Sequence, residues 1–180
     1  LRERGLYDSV AILLTSDHGE QLGERDGAFY DRHGFTVYEE MVRTPLIVKL
    51  PKGRHAGLRV RAVTRGIDLA PTILDLAGLE PLPAEPGVDG VSLVPFWADP
   101  QGAPRLDAVS EGVIVYHECK GLRTARRKLI LTVDGGEAKA ELIAGVVRGQ
   151  QVVAEERHAE IRAAVDLAVG THTIDLEVTD

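Results

Sequence analysis

The feature that most constrains this chain is a run of five apolar residues, 10–14, that leads through two small polar residues into Asp17, His18 and Gly19. An uninterrupted apolar run of this length is typical of a strand covered on both faces in a parallel sheet. Sheets of that kind place their binding sites beyond the carboxyl ends of the strands. Asp17 and His18 therefore stand where a functional site is expected.

Asp17 and His18 are both potential ligands of a divalent cation. Neighbouring side chains of a strand point to opposite faces, but Gly19 permits a turn in which the two can converge. A carboxylate oxygen and a neutral imidazole nitrogen can then bind one ion. The alternative is structural, with Asp17 capping the next segment and His18 packing or hydrogen-bonding nearby. These residues alone leave both interpretations open.

Four sequence blocks follow one another in the first half of the chain. They are residues 15–24 (TSDHGEQLGE), 37–48 (VYEEMVRTPLIV), 66–79 (GIDLAPTILDLAGL) and 88–93 (VDGVSL). In this order and at this spacing they resemble the carboxyl-terminal half of a sulfatase, a branch of the alkaline phosphatase superfamily. The resemblance is strong over residues 1–100 and weakens after Arg127.

The resemblance implies a divalent metal site at Asp17 and His18. In sulfatases the aspartate that ends this strand, and the asparagine or histidine after it, complete the site of a cation that also binds the sulfate group. Calcium is the ion expected from the family. A histidine at position 18 also resembles the related phosphonate and phosphodiester hydrolases, and imidazole suits manganese or zinc better than calcium, which prefers oxygen ligands.

His33 is the candidate catalytic residue. It is followed by Gly34 and, shortly afterwards, by Tyr38 and Glu39. This segment resembles the family's loop in which a lysine or histidine contacts the sulfate or assists the leaving oxygen. A cationic donor there would stabilise charge that develops on the leaving group. Without the resemblance, an exposed loop histidine of no chemical consequence is the alternative.

The nucleophile of the family is not in this sequence. Sulfatases use a cysteine or serine in a Cys/Ser-x-Pro-x-Arg segment, converted to formylglycine, and the 180 residues contain no such segment. Cys119 does not fit the segment, because Gly121 stands where the proline is required. The resemblance places the nucleophile and the remaining metal-binding aspartates upstream. We therefore expect the carboxyl-terminal part of a longer enzyme, inactive without its amino-terminal half. A non-catalytic or vestigial binding module is the alternative of another class.

The expected fold class is α/β. By the resemblance, residues 1–105 form the last part of the catalytic domain, an alkaline-phosphatase-like sandwich with a mostly parallel central sheet. Residues 106–180 are expected to form a small subdomain of short antiparallel strands with a packing helix. That helix is predicted at residues 155–169, where Ile161, Val165 and Ala168 have helical spacing.

Local signals divide residues 37–79 into short elements. A helix is predicted at residues 37–42, with strands at residues 45–50 and 60–64. Asp68 is predicted to cap a second helix, which Gly78 ends.

Charge and hydropathy exclude several classes of partner. The net charge is -7, from 21 basic and 28 acidic residues, and no face reads as a basic stripe, so nucleic acid is not an expected partner. No segment is long and apolar enough to span a bilayer. The expected partner is a small-molecule or carbohydrate sulfate ester. A phosphodiester or phosphonate monoester on the same scaffold is the alternative.

Overall fold

The computed structural model describes most of the first 144 residues and short parts of the remainder. The described residues are 1–24, 33–34, 36–80, 89–114, 117–134, 137–144, 147–148, 151–152 and 156–163. They contain a two-stranded sheet, a five-stranded sheet, a two-stranded ribbon and three short α-helices. No helix in these ranges combines the length and the apolar character needed to cross a membrane.

The apolar run forms strand β1 (Ile12–Thr15), which pairs with β2 (Leu46–Lys49). The pairing is antiparallel and sets Leu14 opposite Ile47. These cross-strand partners share one face of the pair, where Leu14 is 54% exposed and Ile47 is 62% exposed. The strand prediction is confirmed. The parallel pairing and two-sided cover predicted for it are not found in the described residues, because every described strand pair is antiparallel and this face is more than half exposed at Leu14 and Ile47.

Helix α1 (Glu39–Val42) lies between these strands and begins two residues later than predicted. A 3-10 turn, Pro51–Gly53, follows β2. The strand predicted at residues 60–64 is wrong: this segment has no regular secondary structure and pairs with none of the described strands.

A second 3-10 turn, Gly66–Asp68, leads into α2 (Leu69–Leu76). The end of this helix is as predicted. Gly78 has a φ of 66°, a left-handed conformation that glycine adopts easily. In this conformation the N–H of Gly78 donates to the carbonyl of Asp75, and the N–H of Leu79 donates to the carbonyl of Leu74. Helix α3 (Val94–Ala98) follows, and its Phe96 side chain is buried.

The cap predicted for Asp68 is wrong. Its carboxylate makes no hydrogen bond to the amides that begin α2; it is fully buried and accepts hydrogen bonds from the amides of Arg65 and Val91. The Arg65 guanidinium lies 2.8 Å away, and this hydrogen bond raises the pKa of Arg65. A buried carboxylate needs a charged partner and several donors, so Asp68 instead joins the start of α2 to residues 89–91.

The second half of the chain forms an antiparallel sheet, as predicted. Its strands are β3 (Ala108–Ile114), β4 (His117–Arg123), β5 (Arg127–Asp134), β6 (Glu137–Ala144) and β9 (Glu156–Ala163), in that spatial order, and β7 (Val147–Arg148) pairs with β8 (Gln151–Val152). The helix predicted at residues 155–169 is wrong over 156–163, because this segment pairs with β6 and forms sheet hydrogen bonds. The remainder of that prediction lies outside the described residues.

Helix α1 packs on this sheet. Val37, just before the helix, is buried against Cys119 of β4 and Ile130 of β5. Gly121 allows the approach, since a Cβ on it would lie 3.1 Å from a methyl group of Val37. The Lys128 ammonium reaches from the sheet to the Glu39 carboxylate at 3.0 Å. Residues on both sides of position 105 therefore share one buried cluster.

Candidate functional site

The candidate site is built on the loop that follows β1. The N–H of Gly19 donates a 2.7 Å hydrogen bond to the carbonyl of Met41 in α1. A Cβ on Gly19 would overlap the backbone carbonyl of Glu40. Only glycine permits this approach, so the loop is fixed against the helix that the antiparallel sheet supports.

His18 presents one ring nitrogen to a metal ion. Its Nδ1 lies 2.7 Å from the Gly19 carbonyl oxygen, which can only accept, so Nδ1 carries the proton and donates. The Nε2 lone pair is then available for coordination. The pKa of His18 is raised, first by this hydrogen bond and further by the carboxylates of Asp17 and Glu20.

Asp17 lies at the open edge of the site. Its side chain is 88% exposed, and Oδ1 accepts the backbone N–H of His18 at 3.0 Å. The same oxygen lies 3.7 Å from Nε2 of His18. The two predicted metal ligands are therefore neighbours and do not diverge.

His33 lies against His18. The two imidazole rings stack with their centroids 4.3 Å apart and their planes 20° from parallel. His33 Nδ1 lies 3.1 Å from Oε2 of Glu20, and the ionised carboxylate can only accept. The other carboxylate oxygen, Oε1, is buried and has no hydrogen-bond partner in the described part of the chain.

One potential ligand atom from each of His18, Glu20 and His33 lies within 4.8 Å of the others. Two imidazole nitrogens and a carboxylate oxygen form a donor set that suits zinc or manganese. The unpartnered Oε1 of Glu20 fits the same interpretation, because a buried carboxylate oxygen needs a cation or a donor. The residues present can therefore contribute to a divalent metal site.

The sequence predicted Asp17, His18 and His33 as residues of this site but did not indicate Glu20. The residue stands in the first of the four blocks, directly after Gly19. An acidic residue two positions beyond a candidate ligand was the available signal. What the sequence could not supply was the approach of His33, because that contact depends on how residues 16–24 fold against α1.

Comparison with known proteins places these residues in a family. The family model described as Sulfatase matches residues 1–79. An N-acetylglucosamine-6-O-sulfatase of Bacteroides thetaiotaomicron is 40% identical over 95 residues, which are 53% of this chain and 16% of that protein. The multifunctional alkaline phosphatase superfamily protein PehA of Trinickia caryophylli is 41% identical over 100 residues, which are 55% of this chain and 18% of that protein.

The fold is similar to a solved structure as well. A putative sulfatase from Bacteroides thetaiotaomicron superposes on 76% of this chain and 29% of its own, with a TM-score of 0.59 and 27% identity. The chain spans less than a fifth of the length of the two relatives above, so the similarity concerns one part of each.

Proposed function

Because this chain belongs to the sulfatase family, we propose that it is part of an enzyme that hydrolyses sulfate esters with the help of a divalent metal ion. The observation that carries this proposal is the convergence of His18, Glu20 and His33 beyond β1, beside the exposed carboxylate of Asp17. We propose that the chain is divided at residue 105. Residues 1–105 belong to the catalytic domain, which is the sandwich expected from the family. Residues 106–180 form a small subdomain that contains the antiparallel sheet.

Asp17 and His18 are the proposed metal ligands in this chain. A bound divalent cation would supply positive charge to neutralise sulfate oxygens and to activate the nucleophile. The hydrogen bond from Nδ1 of His18 to the Gly19 carbonyl keeps the ring in the orientation and tautomer that leave Nε2 free. Calcium is the ion proposed from the family, and the imidazole nitrogen of His18 makes manganese or zinc the alternative.

His33 is the proposed catalytic residue on the leaving-group side. With Glu20 accepting from Nδ1, the protonated ring carries its second proton on Nε2 and can donate it to the departing oxygen. Glu20 acts through His33 by fixing its orientation. The formylglycine nucleophile is proposed to come from a segment of the full-length protein outside these 180 residues.

Phosphodiester or phosphonate ester hydrolysis is the second candidate. Two observations favour it: the histidine at position 18, and the 41% identity to a protein described as multifunctional within the alkaline phosphatase superfamily. Sulfate and phosphate esters have similar shape and charge, so the same residues could serve either reaction. A third reading, from another class, is a non-catalytic binding module.

The deciding experiment uses the full-length protein that contains this chain and its Asp17→Ala variant. Metal content and turnover are measured on aryl sulfate, aryl phosphodiester and aryl phosphonate esters of the same phenol. We expect the wild-type protein to prefer the sulfate, and the variant to lose bound metal and at least about 100-fold of its turnover, since even residues behind metal ligands cost 10–100-fold. Full metal content with normal rate in the variant would exclude Asp17 as a ligand. Preference for a phosphorus ester would support the second candidate, and inactivity on all three would support the binding module.

A further inference from the structure

A cleft of 320 Å³ lies between residues 59–63, residues 100–106 and Ala125. None of the candidate metal-site residues lines it. Its volume is near the lower end of the range of about 300–1,000 Å³ that small-molecule sites occupy. The cleft is therefore large enough for a small anionic group and part of its carrier.

The described residues that line the cleft include three arginines and no acidic residue. The arginines are Arg59, Arg61 and Arg105, and the other lining residues are uncharged. Asp99 is close in sequence but does not line the cleft, and its Oδ1 accepts the amides of Gln101 and Gly102. In a chain with a net charge of -7, three arginines on one concave surface create a local positive potential against the average field.

Arg59, Arg61 and Arg105 are solvent-exposed, and among the described residues they form no ion pair. Elsewhere Arg65 pairs with Asp68 and Arg123 pairs with Glu39. Within the described ranges, no carboxylate pairs with the guanidinium of Arg59, Arg61 or Arg105. A guanidinium offers five donors in a planar fork that matches two oxygens of a tetrahedral oxyanion.

We propose that Arg59, Arg61 and Arg105 form a second anion site, which binds a sulfate-type oxyanion outside the metal site. The anion is either free inorganic sulfate or a sulfate group on a multiply sulfated organic molecule. Pro100, Pro104 and Leu106 supply apolar wall beside the arginines, which suits the carbon skeleton of the organic form. Binding here needs neither the metal nor turnover, so this site does not depend on the proposed function.

The test is titration calorimetry on the full-length protein with three probes: inorganic sulfate, sucrose octasulfate and uncharged sucrose. The main variant is Arg59→Gln with Arg105→Gln, and Arg54→Gln is the matched control, an exposed arginine outside the cleft. Each lost charge-assisted contact at an exposed site is expected to cost about fivefold in affinity, and the double variant therefore about 25-fold if the two losses are additive. The control should stay within about twofold of wild type.

A lysine pair, Arg59→Lys with Arg105→Lys, keeps the charge and removes the planar fork, and it should weaken binding less than the glutamine pair. Thermal unfolding of each variant verifies that the fold is intact. Weakening with both sulfated probes supports the site with free sulfate as a ligand, and weakening with the octasulfate alone supports the organic ligand. Unchanged affinity in the double variant, an equal loss in Arg54→Gln, or no binding by wild type would overturn the proposal. A His33→Ala protein should still bind sulfate in the cleft. The result of this test is therefore independent of whether the protein proves to be a hydrolase.

Discussion

The imidazole rings of His18 and His33 stack at a centroid distance of 4.3 Å, although one follows β1 and the other precedes α1. The contact puts a proposed metal ligand and a proposed catalytic residue in one site. Each ring hydrogen-bonds through Nδ1, His18 to a backbone carbonyl and His33 to Glu20. Both therefore have Nε2 available for chemistry.

Replacing His33 by alanine should lower turnover and leave metal content unchanged. Loss of a general acid costs about 10²–10⁴-fold, and more for esters with poor leaving groups, because those need the proton most. The measurement is kcat on a series of aryl esters alongside metal analysis. His55→Asn is the control, since His55 is an exposed loop histidine with a φ of 55°, which asparagine tolerates. An unchanged rate on the poorest leaving group would contradict the role.

Glu20→Gln tests whether Glu20 acts through His33. The amide keeps the shape but removes the charge that orients the ring, so we expect a loss of about tenfold in kcat. In a His33→Ala background the same change should have almost no further effect, because residues that act as a unit are not additive. Independent losses in the double variant, or loss of bound metal from Glu20→Gln alone, would show instead that Glu20 is a metal ligand.

Gly19→Ala should destabilise the protein and displace the site loop. The added methyl group overlaps the Glu40 carbonyl, and overpacking of this kind costs about 1–3 kcal/mol. Denaturant unfolding gives the loss of stability. Gly66→Ala is the matched control, because a Cβ on Gly66 meets nothing within 4 Å. Equal stability of the two variants would mean that the loop does not need its close approach to α1.

Lys128→Met should change how stability depends on pH. The pKa of Lys128 is lowered from 10.5, chiefly by burial, and the Glu39 carboxylate opposes this shift only in part. Between the lowered value and 10.5 the unfolded chain binds more protons, so this lysine makes stability rise with pH in that window.

The free energy of unfolding is measured from pH 8 to 10.5 in wild type and both lysine variants. Lys128→Met should lack the rise. Lys120→Met serves as the control, because hydrogen bonding to Glu118 raises the pKa of Lys120 and moves its titration above the window. Parallel curves for wild type and Lys128→Met would refute the burial argument.

The sequence predicted the elements whose signals are local. The apolar run of β1, the left-handed glycine that ends α2 and the antiparallel strands after residue 107 all depend on short stretches of chain. The errors arose where a distant partner decides the outcome. Asp68 has the sequence context of a cap, but its carboxylate binds the half-buried Arg65 and the amide of Val91. The helical spacing around Ile161 yields to pairing with β6.

The candidate site shows the same division. Asp17, His18 and His33 were reached through residue type and resemblance, and their metal and catalytic roles stay predictions until tested. Glu20 became visible only when its carboxylate was found beside His33. The arginine cleft is assembled from two segments and Ala125, far apart in sequence, so no motif marks it.

Through the ion pair between Lys128 and Glu39, the antiparallel sheet supports the candidate site, although none of the proposed site residues lies on the sheet. Glu39 opens the helix whose backbone carbonyl anchors Gly19, so support passes from β5 through α1 to His18. A truncated chain that ends near residue 105 would expose Val37 to solvent and would remove the lysine that pairs with Glu39. Truncations and substitutions in the second half of the chain should therefore be judged by their effect on the proposed metal site in the first half.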